Sequence, residues 1–232
     1  MATICHPLVR GTRIRVTRLD ECGEPVEGEC SQVVSKGFIS VGMSDDVEAP
    51  TVNNPTNADG DYCYYDQTKP QLNFVNAEIQ LCEVDPDLFE MMTGSPLVLD
   101  AKGDTSGFDT DHETYASAFF ALELWSRVPA TNSAACPPGG QRWGYFLMPF
   151  LARGSFGDLT VENAGVNFTV SATSNRGTPW GTGPYDVELD ALGVAGPMIT
   201  PVAPSTPRRF MFTQVAPPEP LCGCQPLTIE SP

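Results

Sequence analysis

The chain has 232 residues, a formal net charge of −16, 22 prolines and 21 glycines. That length favours one large domain over two equal ones, and its short, interrupted apolar segments favour many strands over a helical bundle. Phosphate contacts supply most non-specific affinity for nucleic acid, so the acidic balance excludes a general nucleic-acid binder.

The charge is unevenly distributed along the chain. Residues 1–18 carry four arginines and no acid, whereas residues 19–116 carry three basic and 21 acidic residues. The remaining residues, 117–232, carry six basic and eight acidic residues. Most of the surface should therefore repel DNA, with the N-terminal edge as the exception.

The first predicted elements are strands. Residues 12–18 alternate basic and apolar side chains, which is typical of a half-buried strand, and a turn follows at 20–25. We expect a second strand near 32–41. Residues 44–70 form a long acidic stretch with little to bury, which predicts an intersubunit loop.

The next strand covers 71–84, and a shift in its apolar phase near Phe74 and Val75 predicts a bulge. A short helix follows. Asp85 is a suitable N-cap, Pro86 suits the first helical position, and Gly94 is a suitable terminator.

Three more strands are predicted at 116–128, 141–153 and 159–174. The last alternates an apolar set with a polar set that includes Asn167 and Thr169. Residues 197–232 contain nine prolines and are predicted to form an arm rather than a second core. The predicted division is therefore a β domain at 1–196, with its loop at 44–70, and a proline-rich C-terminal arm at 197–232.

No residue pattern points to catalysis or to a bound cofactor or metal. The two histidines, His6 and His112, offer little for a triad or a metal site. The acidic cluster Asp100, Asp104, Asp109, Asp111 and Glu113 does not have the spacing of a calcium loop. We therefore expect a structural protein and not an enzyme.

The chain shows no secretory signal and no apolar stretch long enough for a membrane span, which predicts assembly in the cytosol. A cytosolic setting favours free thiols, although a particle that leaves the cell could oxidise. The sequence leaves open whether any of the eight cysteines pair or bind metal.

Several segments resemble the major tail proteins of siphophages, especially those that infect actinobacteria. The most specific are residues 82–90 and 93–97, with the helix signature, and the others are 8–23, 144–150, 157–163 and 180–186. The resemblance implies a mainly β fold, with a two-sheet antiparallel sandwich or barrel, one short flanking α-helix and extended arms.

The resemblance also implies a location and partners. Such subunits form hexameric rings that stack into a tail tube, and the tube holds a tape measure protein, meets a tail terminator and conducts DNA. The chain would then assemble in the bacterial cytoplasm and act in the virion tail, where DNA is in passage and is not specifically bound.

Two sets of residues are predicted to act in such a tube. The polar faces of the strands at 75–84 and 159–174 would line the lumen through Asn76, Glu78, Gln80, Glu162, Asn167 and Thr169. The basic first strand of one ring would meet an acidic loop of the next, through Arg13 and Arg15 against Asp45, Asp46 or Glu48. The predicted helix would cover the outer side of the sheet.

Two alternatives remain from the sequence. The first is another virion protein, such as a tail terminator, a head–tail connector or a capsid decoration protein. The second is a carbohydrate-binding or hydrolytic module that uses Trp125, Trp143 and Trp180.

Overall fold

A computed structural model describes residues 7–110, 118–129, 141–163 and 165–229. The chain is mainly β and antiparallel, as expected. Its elements are β1 (Gly11–Leu19), β2 (Gly28–Ser35), β3 (Phe38–Glu48), β4 (Val52–Asn53), β5 (Asp66–Gln67), β6 (Gln71–Leu81), α1 (Pro86–Thr93), β7 (Leu97–Leu99), β8 (Thr105–Phe108), β9 (Phe119–Arg127), β10 (Trp143–Glu162), β11 (Gly165–Ser174), β12 (Glu188–Leu189), β13 (Ala195–Gly196), β14 (Arg209–Thr213) and β15 (Gln225–Leu227).

Nine of these strands form one sheet in the order β15-β2-β1-β9-β10-β11-β6-β3, and β14 also pairs with β10. The long strand β10 joins two halves, because its first part pairs with β9 and β14 and its second part pairs with β11. We call β15, β2, β1, β9, β14 and the first part of β10 the covered half. The open half comprises the second part of β10 with β11, β6 and β3.

The main core lies between the two halves. It unites Ile14 and Val16 of the covered half with Ile79 and Val170 of the open half, all fully buried. The sheet therefore curls over its own apolar side, but it is not closed among the described residues.

Helix α1 contributes Leu88, Phe89, Met91 and Met92 to this core. Its end lies so close to β10 that a Cβ at Gly154 would collide with the Met92 carbonyl. The helix thus packs on the apolar side of the sheet.

The ends of α1 confirm the capping prediction. The Asp85 carboxylate accepts a hydrogen bond from the Asp87 amide, and Pro86 occupies the first turn. Gly94 ends the helix in the left-handed conformation with φ 73°, where glycine is favoured because it lacks a Cβ.

A second core lies on the other side of the covered half. Trp125 and Tyr145 of the sheet pack there against Trp180, Met198 and Val202 from the chain after β11. Each of these five side chains is at most 4% exposed. Apolar residues spaced among prolines in the segment 178–202, which we call the cover, thus pack over this side of the sheet.

The proline-rich segment 197–229 lies against the domain and does not project from it. β14 pairs with β10, β15 pairs with β2, and Cys224 forms a disulfide with Cys30, whereas free thiols were favoured from the sequence. The sequence pattern did not predict these two strands, because prolines interrupt their apolar runs. Proline is nevertheless tolerated in short edge strands.

Two strand predictions and one loop prediction need correction. A turn at Lys36 and Gly37 divides the expected strand 32–41 into β2 and β3. Residues 44–48 extend β3, and a hairpin occupies most of the predicted loop that follows them. The expected strand 159–174 is instead a hairpin, because residues 159–162 complete β10 and β11 begins at Gly165.

The predicted bulge in β6 is confirmed. The pairing of β3 with β6 shifts between Asp46 and Val47, whose partners are Phe74 and Leu72, so Asn73 is the extra residue.

Four hairpin turns share one five-residue pattern, Asp or Asn followed by a glycine three positions later. In each, the first side chain accepts from the amides two and four residues ahead, as Asp100 does from Lys102 and Asp104. The turns begin at Asp20, Asn57, Asp100 and Asp190. Asp100, considered in a calcium cluster, thus has a backbone-capping role.

Within the described residues no helix is long and apolar enough to cross a bilayer.

Candidate functional site

The open half of the sheet carries a continuous polar face. Register places Gln80 opposite Thr169 and Glu78 opposite Ser171, and β3 adds Ser40 opposite Gln80. On the other side of β11, Asn167 lies opposite Thr160 of β10. We define the polar face by the side chains Ser40, Ser44, Asn76, Glu78, Gln80, Arg153, Ser155, Asp158, Thr160, Asn167, Thr169, Ser171 and Thr173.

Five of the six predicted lumen residues lie together on this face: Asn76, Glu78, Gln80, Asn167 and Thr169. The sixth, Glu162, has a side chain outside the described residues, although its backbone ends β10. The strict alternation of the two central strands explains this result. Val75, Ala77, Ile79 and Leu81 of β6 are at most 1% exposed, so their neighbours must face away from the core.

The polar face is weakly acidic. Among the described side chains that define it, Glu78 and Asp158 are the acids and Arg153 is the cation. The other side chains carry hydroxyl or amide groups, and they bond to one another, as Ser40 does to Gln80 at 3.1 Å. The polar face therefore offers many hydrogen-bonding groups but few cations that could bind a phosphate.

Sequence reasoning missed Arg153 and Asp158. Arg153 has a positive φ of 58° beside the register shift between Ala152 and Ser155, so its direction follows from a bulge and not from alternation. Ser171 and Thr173, in contrast, continue the polar period of Asn167 and Thr169, and that period predicts their face.

Two edges of the open half are unpaired among the described residues. β3 pairs there with β6 alone, and β10 beyond Ala152 pairs with β11 alone. The four strands alternate in direction, so the two edge strands run antiparallel to each other. A second copy could therefore add its β3 to the edge of β10 and continue the antiparallel order.

The residues predicted to join successive rings have different environments within the chain. Arg15 is 6% exposed and lies in the second core, so its guanidinium is not at the surface. Arg13 is partly exposed and lies 3.9 Å from Glu219. Of the acids, Asp45 pairs with Arg208 at 2.8 Å, and Asp46 accepts from Asn73. Glu48 is exposed at the end of β3.

Arg15 belongs to a buried polar network. Its Nη2 donates to Oε1 of the fully buried Glu123 at 2.7 Å, and the Tyr145 hydroxyl donates to the same oxygen at 2.6 Å. Its guanidinium also lies 3.3 Å from the ring centre of Tyr185. Tyr185 belongs to the cover, so this network ties the cover to the sheet.

The network shifts the acidity of its members. Burial lowers the pKa of Arg15, but the neighbouring Glu123 carboxylate raises it more, and the net shift is upward. Burial, with Glu123 nearby, raises the pKa of Tyr145 well above its ordinary value. Burial also raises the pKa of Tyr185, although Arg15 opposes the shift. Both tyrosines therefore stay neutral and can donate.

No three His, Cys, Asp or Glu side chains in the described ranges are placed to hold a metal ion together. His6, Asp111, His112 and Glu113 lie outside those ranges, as do Cys5 and Cys136. Of the tryptophans proposed for sugar binding, Trp125 and Trp180 are buried in the second core, which removes them as a flat binding platform.

No protein-family model matches the chain, and no curated protein matches it.

Proposed function

We propose that this chain is the tube subunit of a siphophage tail, and that its polar face lines a channel for DNA. The polar face of the open half, flanked by two unpaired edges, is the observation that carries the proposal. An enzyme cleft would concentrate reactive side chains, whereas this face distributes hydroxyl and amide groups along four strands.

The two edges supply a route to a ring. When β3 of one copy pairs with the outer part of β10 in the next, the four-stranded sheets join edge to edge. Closure of this heterologous contact consumes both edges of every copy, which also removes a liability for aggregation. The resemblance to major tail proteins implies six copies in the ring.

The chemistry of the polar face suits the passage of DNA and not its binding. Glu78 and Asp158 repel phosphates, and Arg153 is the cation among the described side chains of the face. The core and α1 lie on the opposite side of the sheet, which would place them outside the channel. A tape measure protein and a tail terminator are the further partners that the resemblance implies.

Electron microscopy of the purified chain tests this proposal. We expect hollow rings or rods at micromolar concentration. A chain that remains monomeric over that range would count against a tube subunit. Isolated rings that never stack would favour the tail terminator or connector alternative, and hollow rods would favour the tube.

A charge variant tests the channel itself. E78K/D158K rods should retain double-stranded DNA after washing at low salt, because two cations per copy replace two acids on the wall. E21K/E24K makes the same charge change at the exposed turn after β1 and is the matched control. Equal DNA retention by the two variants would show that the polar face does not line the channel.

A further inference from the structure

The segment 49–70, which we call the arm, is a hairpin with almost no buried surface. β4 pairs with β5, and a turn from Asn57 closes the end. Tyr62, Tyr64 and Tyr65 are 53–68% exposed. Because an isolated two-stranded hairpin is marginally stable in water, an arm of this composition gains order from a partner.

The arm is acidic, since it carries Asp59, Asp61 and Asp66 against Lys69. Its described hydrogen bonds run within the arm, as between Thr51 and Thr68. The arm thus offers tyrosines and unpaired carboxylates to a partner, which is a combination suited to a basic surface.

The opposite charge is gathered at one end of the covered half, which we call the basic end. The Arg127 amide donates to the Arg10 carbonyl at 3.1 Å, and Arg13 pairs in register with Trp125. Arg10 and Arg127 are exposed, and among the described residues neither has an acid within ion-pair distance. The basic end is defined by Arg10, Arg13 and Arg127.

The arm and the basic end lie at opposite ends of the molecule. Ser35 at the end of β2 pairs with Ile14, and a Cβ at Gly11 would lie 2.7 Å from the Phe38 ring at the start of β3. β3 then extends over 11 residues before the arm begins. At the rise of a strand, that separation is on the order of 30 Å.

We propose that the arm of one copy docks on the basic end of the next copy. This inference rests on the proposed function and names the contact between stacked rings. A contact between different surfaces at opposite ends is heterologous and does not close on itself, so its repetition produces an open stack. The contact replaces the Arg15 pairing expected from the sequence with Arg10, Arg13 and Arg127.

Cys63 provides a native probe, since its exposed thiol lies between Tyr62 and Tyr64. The test uses the full chain with serine at the cysteines other than Cys30, Cys63 and Cys224, namely Cys5, Cys22, Cys82, Cys136 and Cys222. V9C adds a thiol beside the basic end, because the Val9 amide donates to the Arg127 carbonyl. A short bis-maleimide should then join Cys63 of one copy to the introduced thiol of another and produce a ladder of multimers.

L192C is the matched control, since Leu192 is 88% exposed on the hairpin between β12 and β13. The V9C chain with C63S is the second control, and neither control should produce the ladder. If assembled rods of the V9C chain give no ladder, or if L192C gives an equal one, the docking contact is wrong.

Charge reversal tests the same contact without thiols. D59K/D61K and R10E/R127E should each shorten the rods by about tenfold or more, because like charges then meet at the contact. The chain with all four substitutions should recover long rods, whereas K102E, an exposed cation elsewhere, should leave rod length unchanged. Failure of recovery would contradict the pairing.

The outcomes separate the two proposals. Rings with a DNA-free channel but no V9C ladder would overturn the docking contact and leave the proposed function intact. A chain that forms no rings at all would overturn the proposed function, and the docking contact with it.

Discussion

Strands β1 and β6 have similar alternating patterns of polar and apolar residues, but their polar faces have opposite environments. In β1, Arg15 and Thr17 alternate with the core residues Ile14 and Val16, and in β6 Glu78 alternates with Ala77 and Ile79. Yet Arg15 is buried beneath the cover, whereas Glu78 is exposed on the polar face.

The difference teaches that alternation assigns a side chain to a face but does not say whether another layer covers that face. The segment 178–202 packs on the covered half, and the polar side chains of that half are paired beneath it. The open half receives no such layer in the described chain, so its polar side chains remain available to water or to another copy. Five experiments test this comparison.

Breaking the buried ion pair should have the largest effect. E123A would leave the Arg15 guanidinium buried without its carboxylate, at a cost of about 3–5 kcal/mol in unfolding free energy. R15M/E123L should recover most of that loss, since paired apolar replacement removes both desolvation costs. Urea denaturation measures both values, and a small loss for E123A would show that the cover leaves this site wet.

Removing the disulfide should have the next largest effect. The Cys30–Cys224 disulfide spans a sequence separation of 194 and joins the chain just before β15 to β2. C30S/C224S should lower the unfolding free energy by about 2–5 kcal/mol. The matched control C22S replaces an exposed free cysteine. Equal stability of the two variants would mean that other contacts suffice to hold β15.

The sequence predicted local features of the fold better than contacts between distant segments. The helix ends, the β6 bulge and the polar period of β11 all depend on neighbours close in sequence, which is why local rules found them. The cover depends on contacts between distant segments, such as Tyr185 with Arg15, and no local pattern encodes such a partner. The free edges of β3 and β10 follow from sheet order, which the sequence did not reveal.

Alkaline pH offers a further test of the cover. The pKa values of Tyr145 and Tyr185 are raised in the fold, so the unfolded chain releases these protons first. The contribution of these neutral tyrosines to the unfolding free energy is fully present below the ordinary tyrosine pKa of about 10. Above that pH, the unfolding free energy should fall by up to about 1.4 kcal/mol per pH unit for each tyrosine. Y185F should reduce this slope, with Y64F in the arm as the control.

The matched turns at Asp190 and Asn57 compare the cover with the arm. Each side chain accepts two backbone hydrogen bonds of the same geometry. D190A should cost about 1–2 kcal/mol, because the base of the hairpin it closes is anchored by the buried Val187 and Met198. N57A should change the unfolding free energy by less, since the arm contributes little to the fold. A larger loss for N57A would indicate that the arm packs within its own chain.

The smallest effect on stability is expected for E78Q, which makes the same chemical change as E123Q on the other half of the sheet. Glu78 is exposed on the polar face, so E78Q should change the unfolding free energy by no more than about 0.5 kcal/mol. E123Q should destabilise strongly, because it removes the charge that the buried Arg15 requires. Similar losses for both variants would show that another layer of the same chain covers the open half. The polar face would then not be available to a channel, and the difference between the two halves would disappear.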